Sequence, residues 1–155
     1  MTGSTLIRVG TAVDRRFVAE LGAGTVSDSV APFRSAEQAM VEMSFERLLN
    51  FVWEQSHILL VALNEDRRVG FLLLLDTFPD EVTGMPQAFI AYMAVKPEYR
   101  RQGIGSALLH RAEVIARDLG LPYMALMVTE HNEAGRVVYE NAGYITERRL
   151  LCKIL

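Results

Sequence analysis

Cysteine is nearly missing from this 155-residue chain: Cys152 stands alone. No internal disulfide can form and no multi-cysteine metal site is available, which suits a reducing cytoplasm. The histidines, His57, His110 and His131, show no metal-ligand spacing, so no metal is expected. Long apolar runs are missing too. The longest strongly apolar one, Val69 to Leu75, falls far short of the roughly 20 residues that span a bilayer. Met1 to Gly10 lacks the basic start and longer apolar core of a signal peptide. The expectation is a soluble cytoplasmic protein with no membrane partner. Excess positive charge is also absent. A net charge of -3 removes the broad electrostatic footprint that non-specific nucleic-acid binding needs, so no nucleic-acid partner is expected. The pairs Arg100-Arg101 and Arg148-Arg149 suit solvated faces or small-anion sites.

What is present is the material of a core. Half the residues are apolar and 23% are charged, the composition of a folded globular chain, and the length fits one domain over 1–155. Leu6 to Val9 reads as a strand. Thr11 then opens a helix reaching Leu21, and Gly22 to Ser35 reads as a loop. Ser35 looks like the cap of an amphipathic helix running to about Gln55. Ile58 to Leu63 and Val69 to Asp76 form an antiparallel hairpin across Asn64 to Arg68. Phe78 to Pro86 is a second loop and Gln87 to Val95 a strand ended by Pro97. Ile104 to Leu119 is a helix stopped by Gly120 and Pro122. Tyr123 to Val128 is a strand, Asn132 to Asn141 a helix, and Tyr144 to Leu155 a last strand. The order β-α-α-β-β-β-α-β-α-β predicts an α/β (α+β) fold with a mixed sheet layered by helices.

One segment carries chemistry. A strand ends at Val95, a turn follows at Lys96 to Tyr99, and Arg100-Arg101-Gln102-Gly103-Ile104-Gly105 opens a helix. A helix N-terminus exposes N–H groups without intrahelical partners and attracts phosphate oxygens. Glycines at 103 and 105 remove side chains that would hold a phosphate away, and the two arginines add charge. The same glycines also suit a tight turn packed on the sheet. A dinucleotide fingerprint wants a third glycine where Leu108 stands, and no Gly-Lys-Ser/Thr follows, so neither a Rossmann motif nor a P-loop is present.

Val95-Lys96-Pro97-Glu98-Tyr99-Arg100-Arg101-Gln102-Gly103-Ile104-Gly105-Ser106-Ala107 resembles the signature of the GNAT N-acetyltransferases, Gln/Arg-x-x-Gly-x-Gly/Ala after Val-x-Pro. Asn132, Gly135 and Tyr139-Glu140-Asn141-Ala142-Gly143-Tyr144 resemble the family's second motif, with Gly135 for Ala and Tyr144 for Phe as departures. The resemblance implies a GNAT fold, a mostly antiparallel mixed sheet with helices on both faces and splayed central strands, that binds acetyl-coenzyme A as co-substrate. It implies that Arg100, Arg101, Gln102, Gly103, Ile104, Gly105 and Ser106 hold the pyrophosphate. Met93, Ala94 and Val95 would pair with the pantetheine arm, Asn132 and Arg136 would contact the coenzyme, and Tyr139 would protonate the departing thiolate. The acceptor would be a primary amine of a small molecule or peptide.

The family's frequent Glu on the strand matching Phe89 to Val95 is missing here. Glu130, His131, Glu81 and Asp80 are the alternative bases, beside a water chain. Tyr92 either faces the acceptor or packs in the core; His57 and His110 read as structural or surface residues. The missing carboxylate also leaves room for an inactive acyl-coenzyme-binding regulatory domain. An exposed edge near the C-terminal strand suggests a homodimer.

Overall fold

The computed structural model describes residues 3–155. Its sheet has five strands in the order β1-β2-β3-β4-β5: β1 (Thr5–Val9), β2 (His57–Asn64), β3 (Arg67–Leu75), β4 (Ala88–Val95) and β5 (Met124–Leu126). The first four are antiparallel, and β5 lies parallel to β4. Helices α1 (Arg15–Thr25) and α2 (Gln38–Glu54) cover one face. Helix α3 (Ile104–Asp118) covers the other, and α4 (Glu133–Asn141) packs there through Val138 and Tyr139.

The unbroken apolar run of β3 follows from this double cover. Val69, Leu72 and Leu74 enter the core on the α3 face, and Phe71, Leu73 and Leu75 the core on the α1–α2 face. A strand buried on both faces reads as a continuous hydrophobic run rather than an alternation. Between β2 and β3 the turn is tighter than the five residues expected. Only Glu65 and Asp66 form it, both at positive φ (47° and 66°), which matches the right-handed twist of a two-residue hairpin. Among the described residues no helix is long and apolar enough to cross a membrane.

Three expectations need correction. Gly22 to Ser35 is not all loop, because α1 runs to Thr25 and a 3-10 turn continues through Val26–Ser29. Gly22 serves as a contact point, not a helix breaker. A Cβ there would fall inside the ring of Phe45, itself 4% exposed on α2, so glycine lets the two helices approach. Gly22→Ala is therefore expected to destabilise the fold by about 1–3 kcal/mol through overpacking, read as a lower midpoint in urea unfolding. Second, α2 starts three residues after Ser35, with Glu37 flanking it and no side-chain cap.

Third, Tyr144 to Leu155 is no strand of this sheet. Tyr144 is anchored, its hydroxyl donating to Met124 Sδ at 3.0 Å. Beyond it the chain is held by side chains against loops: Arg148 bonds Asp80 and pairs with Glu81, and Arg34 reaches Cys152 Sγ at 3.4 Å. Among the described residues β5 pairs with β4 alone.

A buried carboxylate pins the other side of the sheet. Asp14, 1% exposed, accepts from Arg8 on β1 (2.8 Å to each oxygen), from Arg68 on β3 (2.7 Å) and from the Thr11 N–H (2.9 Å). The Arg8 hydrogen bonds, aided by those from Thr11 and Arg68, hold its carboxyl well below the usual carboxylate range against the opposing effect of burial.

Candidate active site

Pro97–Tyr99 forms a 3-10 turn after β4, and the chain then bends through Arg101 and Gly103, both left-handed at φ 61° and 81°, into α3. The first helical bond runs from Ala107 N–H to Gly103 C=O at 3.0 Å. Among the described residues, the six successive N–H groups of Arg101 to Ser106 donate to no protein acceptor. Alternating left- and right-handed residues before a helix turn such groups into one concavity, which favours an anion. Nothing lies within 4 Å of where a Gly103 Cβ would sit, and a Gly105 Cβ would make only ordinary contacts, at 3.7 Å to Met93 and 3.8 Å to Val138. Protein packing does not demand glycine at either position. The left-handed φ of Gly103 by itself favours glycine, and the position of its Cβ opens onto free space. Arg100 hydrogen-bonds Val95 C=O at 3.2 Å and pairs with Asp28 at 3.6 Å, so its charge is already partly shared. Arg101 and Gln102 are exposed at the mouth.

Behind this mouth the sheet opens. Strands β4 and β5 pair only at Ala88↔Met124, Phe89↔Ala125 and Ile90↔Leu126. The β4 register against β3 slips at the same place, with Leu73 opposite Tyr92 but Leu74 opposite Ile90, so Ala91 is the extra residue of a bulge. Bulges bend a strand and sharpen its twist, which turns Tyr92 to Val95 away from β5. Met93, Ala94 and Val95 therefore have a strand on one side and an empty slot on the other, although Val95 C=O is taken by Arg100. Helix α4 packs on the α3 face of the sheet. Asn132 caps it by accepting from Gly135 N–H at 3.1 Å, and Tyr139 is half-buried against that core, its ring 6.0 Å from Tyr144. Burial, with a smaller contribution from Tyr92, raises the Tyr139 phenol above its ordinary value. Among the described residues its hydroxyl has no hydrogen-bond partner. Arg136 is committed to acids instead, bonding Glu130 C=O at 3.1 Å and pairing with the Glu130 and Glu140 carboxylates.

On the α2 side of the same junction lies an apolar cavity of about 360 Å³, bounded by Leu48 and Phe51 of α2, Phe78, Ala91 of the bulge, and Met127 past β5. Tyr92 does not line it. Its ring packs 4.9 Å from Phe45 and its hydroxyl meets Thr25 Oγ1 at 2.9 Å, a core arrangement. The sequence-level bases are not gathered there as free groups. Asp80 is locked by Arg148 and Thr83, which depress its pKa; Glu81 and Glu130 are ion-paired and His131 is exposed. His57 is held by Gln55 C=O at 2.8 Å beside Trp53, and His110 is exposed on α3. Asp76, just past the cavity-lining Leu75, escaped the sequence reading. Its Oδ1 is buried without a partner among the described residues, an acceptor left for a donor from outside the chain. A carboxylate closing an apolar strand was the one available hint.

Residues 28–144 match the family model of the acetyltransferase (GNAT) family. The chain belongs to the GNAT acetyltransferases. It is 27% identical over 136 residues to the uncharacterized N-acetyltransferase YdgE of Bacillus subtilis (strain 168), covering 83% of this chain and 80% of that one. A Pyrococcus furiosus protein assigned provisionally as an acetyl transferase superposes with a TM-score of 0.82 at 27% identity, over 98% of this chain and 100% of that one. The aminoglycoside N-acetyltransferase AAC(6')-Iy, solved with CoA, shares the fold at a TM-score of 0.70 and 14% identity, over 100% of this chain and 97% of that one. The GNAT architecture expected from the motifs, with its mixed sheet and helices on both faces, is the one observed.

Proposed function

We propose that residues 1–155 form one acetyl-coenzyme A-dependent N-acetyltransferase domain that acetylates a primary amine of a small molecule or peptide. The observation that carries this is the row of six unsatisfied N–H groups from Arg101 to Ser106, continuous with the open slot beside Met93 to Val95. The row suits the coenzyme's pyrophosphate, with Arg101 and Gln102 beside it. The slot suits an extended amide-bearing arm, which satisfies strand groups that otherwise lack a partner. Arg100 and Arg136 reach the phosphates by exchanging carboxylate partners for them, and Asn132 adds its amide at the slot's end.

The acetyl carbonyl then lies near the bulge at Ala91, with the apolar cavity on its far side receiving the amine. The neutral nitrogen attacks the thioester carbon while a free β4 N–H receives the growing negative charge on oxygen. The carbon–sulfur bond breaks, Tyr139 donates its proton to the departing sulfur to give the thiol, and the proton released by the acylated nitrogen returns to the Tyr139 phenolate. With Asp80, Glu81 and Glu130 all paired, the ammonium sheds its first proton to water or to the unpartnered Asp76 carboxylate beside the cavity.

Saturating acetyl-coenzyme A should raise the melting temperature by mass action. A concentration one hundred times Kd contributes about 2.7 kcal/mol, or roughly 5–10 °C in a domain of this size. Gly103→Glu places a bulky carboxylate at φ 81° in the anion concavity and should abolish the shift. An unchanged melting temperature at millimolar coenzyme would sink the assignment. The absence of a carboxylate on β4 itself favours a second reading, a binding domain without turnover. Thiol release with a panel of amines decides between them, because only the enzyme yields free thiol above the rate in buffer.

A further inference from the structure

Among the described residues, no polar side chain lines the cavity on the α2 side of the β4 bulge. Its wall is made of Phe51, Phe78, Phe89 and Met127 together with four aliphatic residues. Ligand pockets ordinarily carry a few placed polar groups that orient the bound molecule. None is needed here if the reacting nitrogen is fixed elsewhere, at the thioester beside Ala91. At about 360 Å³ the cavity lies near the lower end of the roughly 300–1,000 Å³ that ligand pockets span, room for one chain or ring rather than several sugar rings. Phe51, Phe78 and Met127 are 44%, 38% and 81% exposed, so the cavity opens to solvent on their side.

The carboxylates near this wall are engaged or stand outside it. Asp80 and Glu81, in the loop after Phe78, are held by Arg148. Asp76 stands one residue beyond Leu75 and does not line the cavity, so its one unpartnered oxygen serves at most the proton of the reacting nitrogen. A second ammonium on the acceptor would lie among phenyl rings with no carboxylate to balance it. Burying an unpaired charge costs far more than burying a methyl group, and a cation–π contact with Phe78 or Phe89 returns only a fraction of that cost. A peptide backbone fares no better, because an N–H or C=O against this wall loses its water and gains no hydrogen bond.

We propose that the acceptor is a small free monoamine with an apolar body, the size of a hexyl chain or a phenylethyl group, its nitrogen at Ala91 and its body among Phe51, Phe78 and Met127. This rests on the transferase reading above and narrows it to one class of amine. Transfer forms the carbon–nitrogen bond, breaks the carbon–sulfur bond and releases the coenzyme as thiol. The acceptor loses its only charge in the process and becomes a neutral amide.

Initial rates of thiol release at saturating acetyl-coenzyme A, with amines compared in pairs, test this. Hexylamine and 1,6-diaminohexane share their length and reacting group and differ only in what reaches the far end of the cavity, a methyl group or an ammonium. Hexylamine should have the higher kcat/KM by about 100-fold or more, and from butylamine to hexylamine each methylene should add roughly four-fold. 2-Phenylethylamine should exceed phenylalanyl-glycinamide by about 10-fold or more. A diamine or a peptide that matches its partner overturns the proposal and leaves the transferase reading standing. No thiol release with any amine, despite a coenzyme-induced rise in melting temperature, overturns both. Phe51→Glu places a carboxylate in the wall at a residue already 44% exposed. It should cut the preference for hexylamine over the diamine by about 10-fold or more, with the coenzyme-induced rise in melting temperature unchanged. Met127→Glu, at an 81% exposed position, should do the same and stands in if the first variant fails to fold. A ratio unmoved in the folded variants overturns the placement of the acceptor body.

Discussion

Tyr139→Phe is expected to lower kcat roughly 100-fold while leaving the coenzyme KM within about two-fold. General acid assistance is worth about 10²–10⁴, and the low end applies here because burial makes the Tyr139 phenol a weaker acid than free tyrosine. Phenylalanine keeps the ring against Tyr144 and Val138 and removes only the oxygen, which no protein group engages among the described residues. The loss is therefore confined to the stage at which charge gathers on sulfur. The pH profile adds a second readout. With no carboxylate on β4 beside the slot, the wild-type rate should climb as the acceptor amine deprotonates. Since the phenol's pKa is raised, no falling limb should appear below pH about 10, the value of an ordinary tyrosine. A variant with unchanged kcat would assign proton delivery to water.

Asp14→Ala should give the largest loss of stability, about 2–3 kcal/mol, seen as a fall in melting temperature of roughly 5–10 °C. Removing one member of a fully buried pair costs about 3–5 kcal/mol. Arg8 and Arg68, 34% and 40% exposed in their side chains, can turn to water, which lowers the figure. The Thr11 N–H and the tie between β1 and β3 are lost outright. Arg68→Ala should cost less, because Arg8 still neutralises the carboxylate. The same site dictates a pH dependence. The folded Asp14 holds its charge to lower pH than the unfolded chain, so the unfolded chain takes up the proton first as pH falls. Its stabilisation is complete above the unfolded value near pH 3.9 and drains as pH drops toward the folded one. Urea midpoints of wild type and Asp14→Ala should converge in acid and separate at neutral pH.

Much of this was legible in the residues. Val95-Lys96-Pro97 and the two glycines marked the turn into α3 where the unpaired N–H groups gather, and both cores follow from the hydrophobic run of β3. What stayed hidden depends on contacts between distant segments. Gly22 reads as a breaker by local propensity and becomes a helix crossing only opposite Phe45. Tyr144 to Leu155 has the composition of a strand, but whether a neighbour exists is decided by where Arg148 and Cys152 are held. Asp76 looks like any turn carboxylate until its surroundings are known. For Arg136 and Asp80, identity said nothing about partners, and the partners decide their charge and reach.

The extra residue at Ala91 gives the length of β4 a meaning of its own. Phe89, Ala91, Tyr92 and Ala94 face the α1–α2 core, while Ala88, Ile90, Met93 and Val95 face α3. Two successive residues thus look the same way only at Ala91 and Tyr92. Were the chain one residue shorter there, strict alternation would return with every remaining residue on its present face, and β4 would lie straight beside β5. A deletion that most loops would tolerate would here convert a cleft into a seamless sheet. The cleft is encoded as a count, not as a set of side chains, so β4 can exchange many of its residues but not its number.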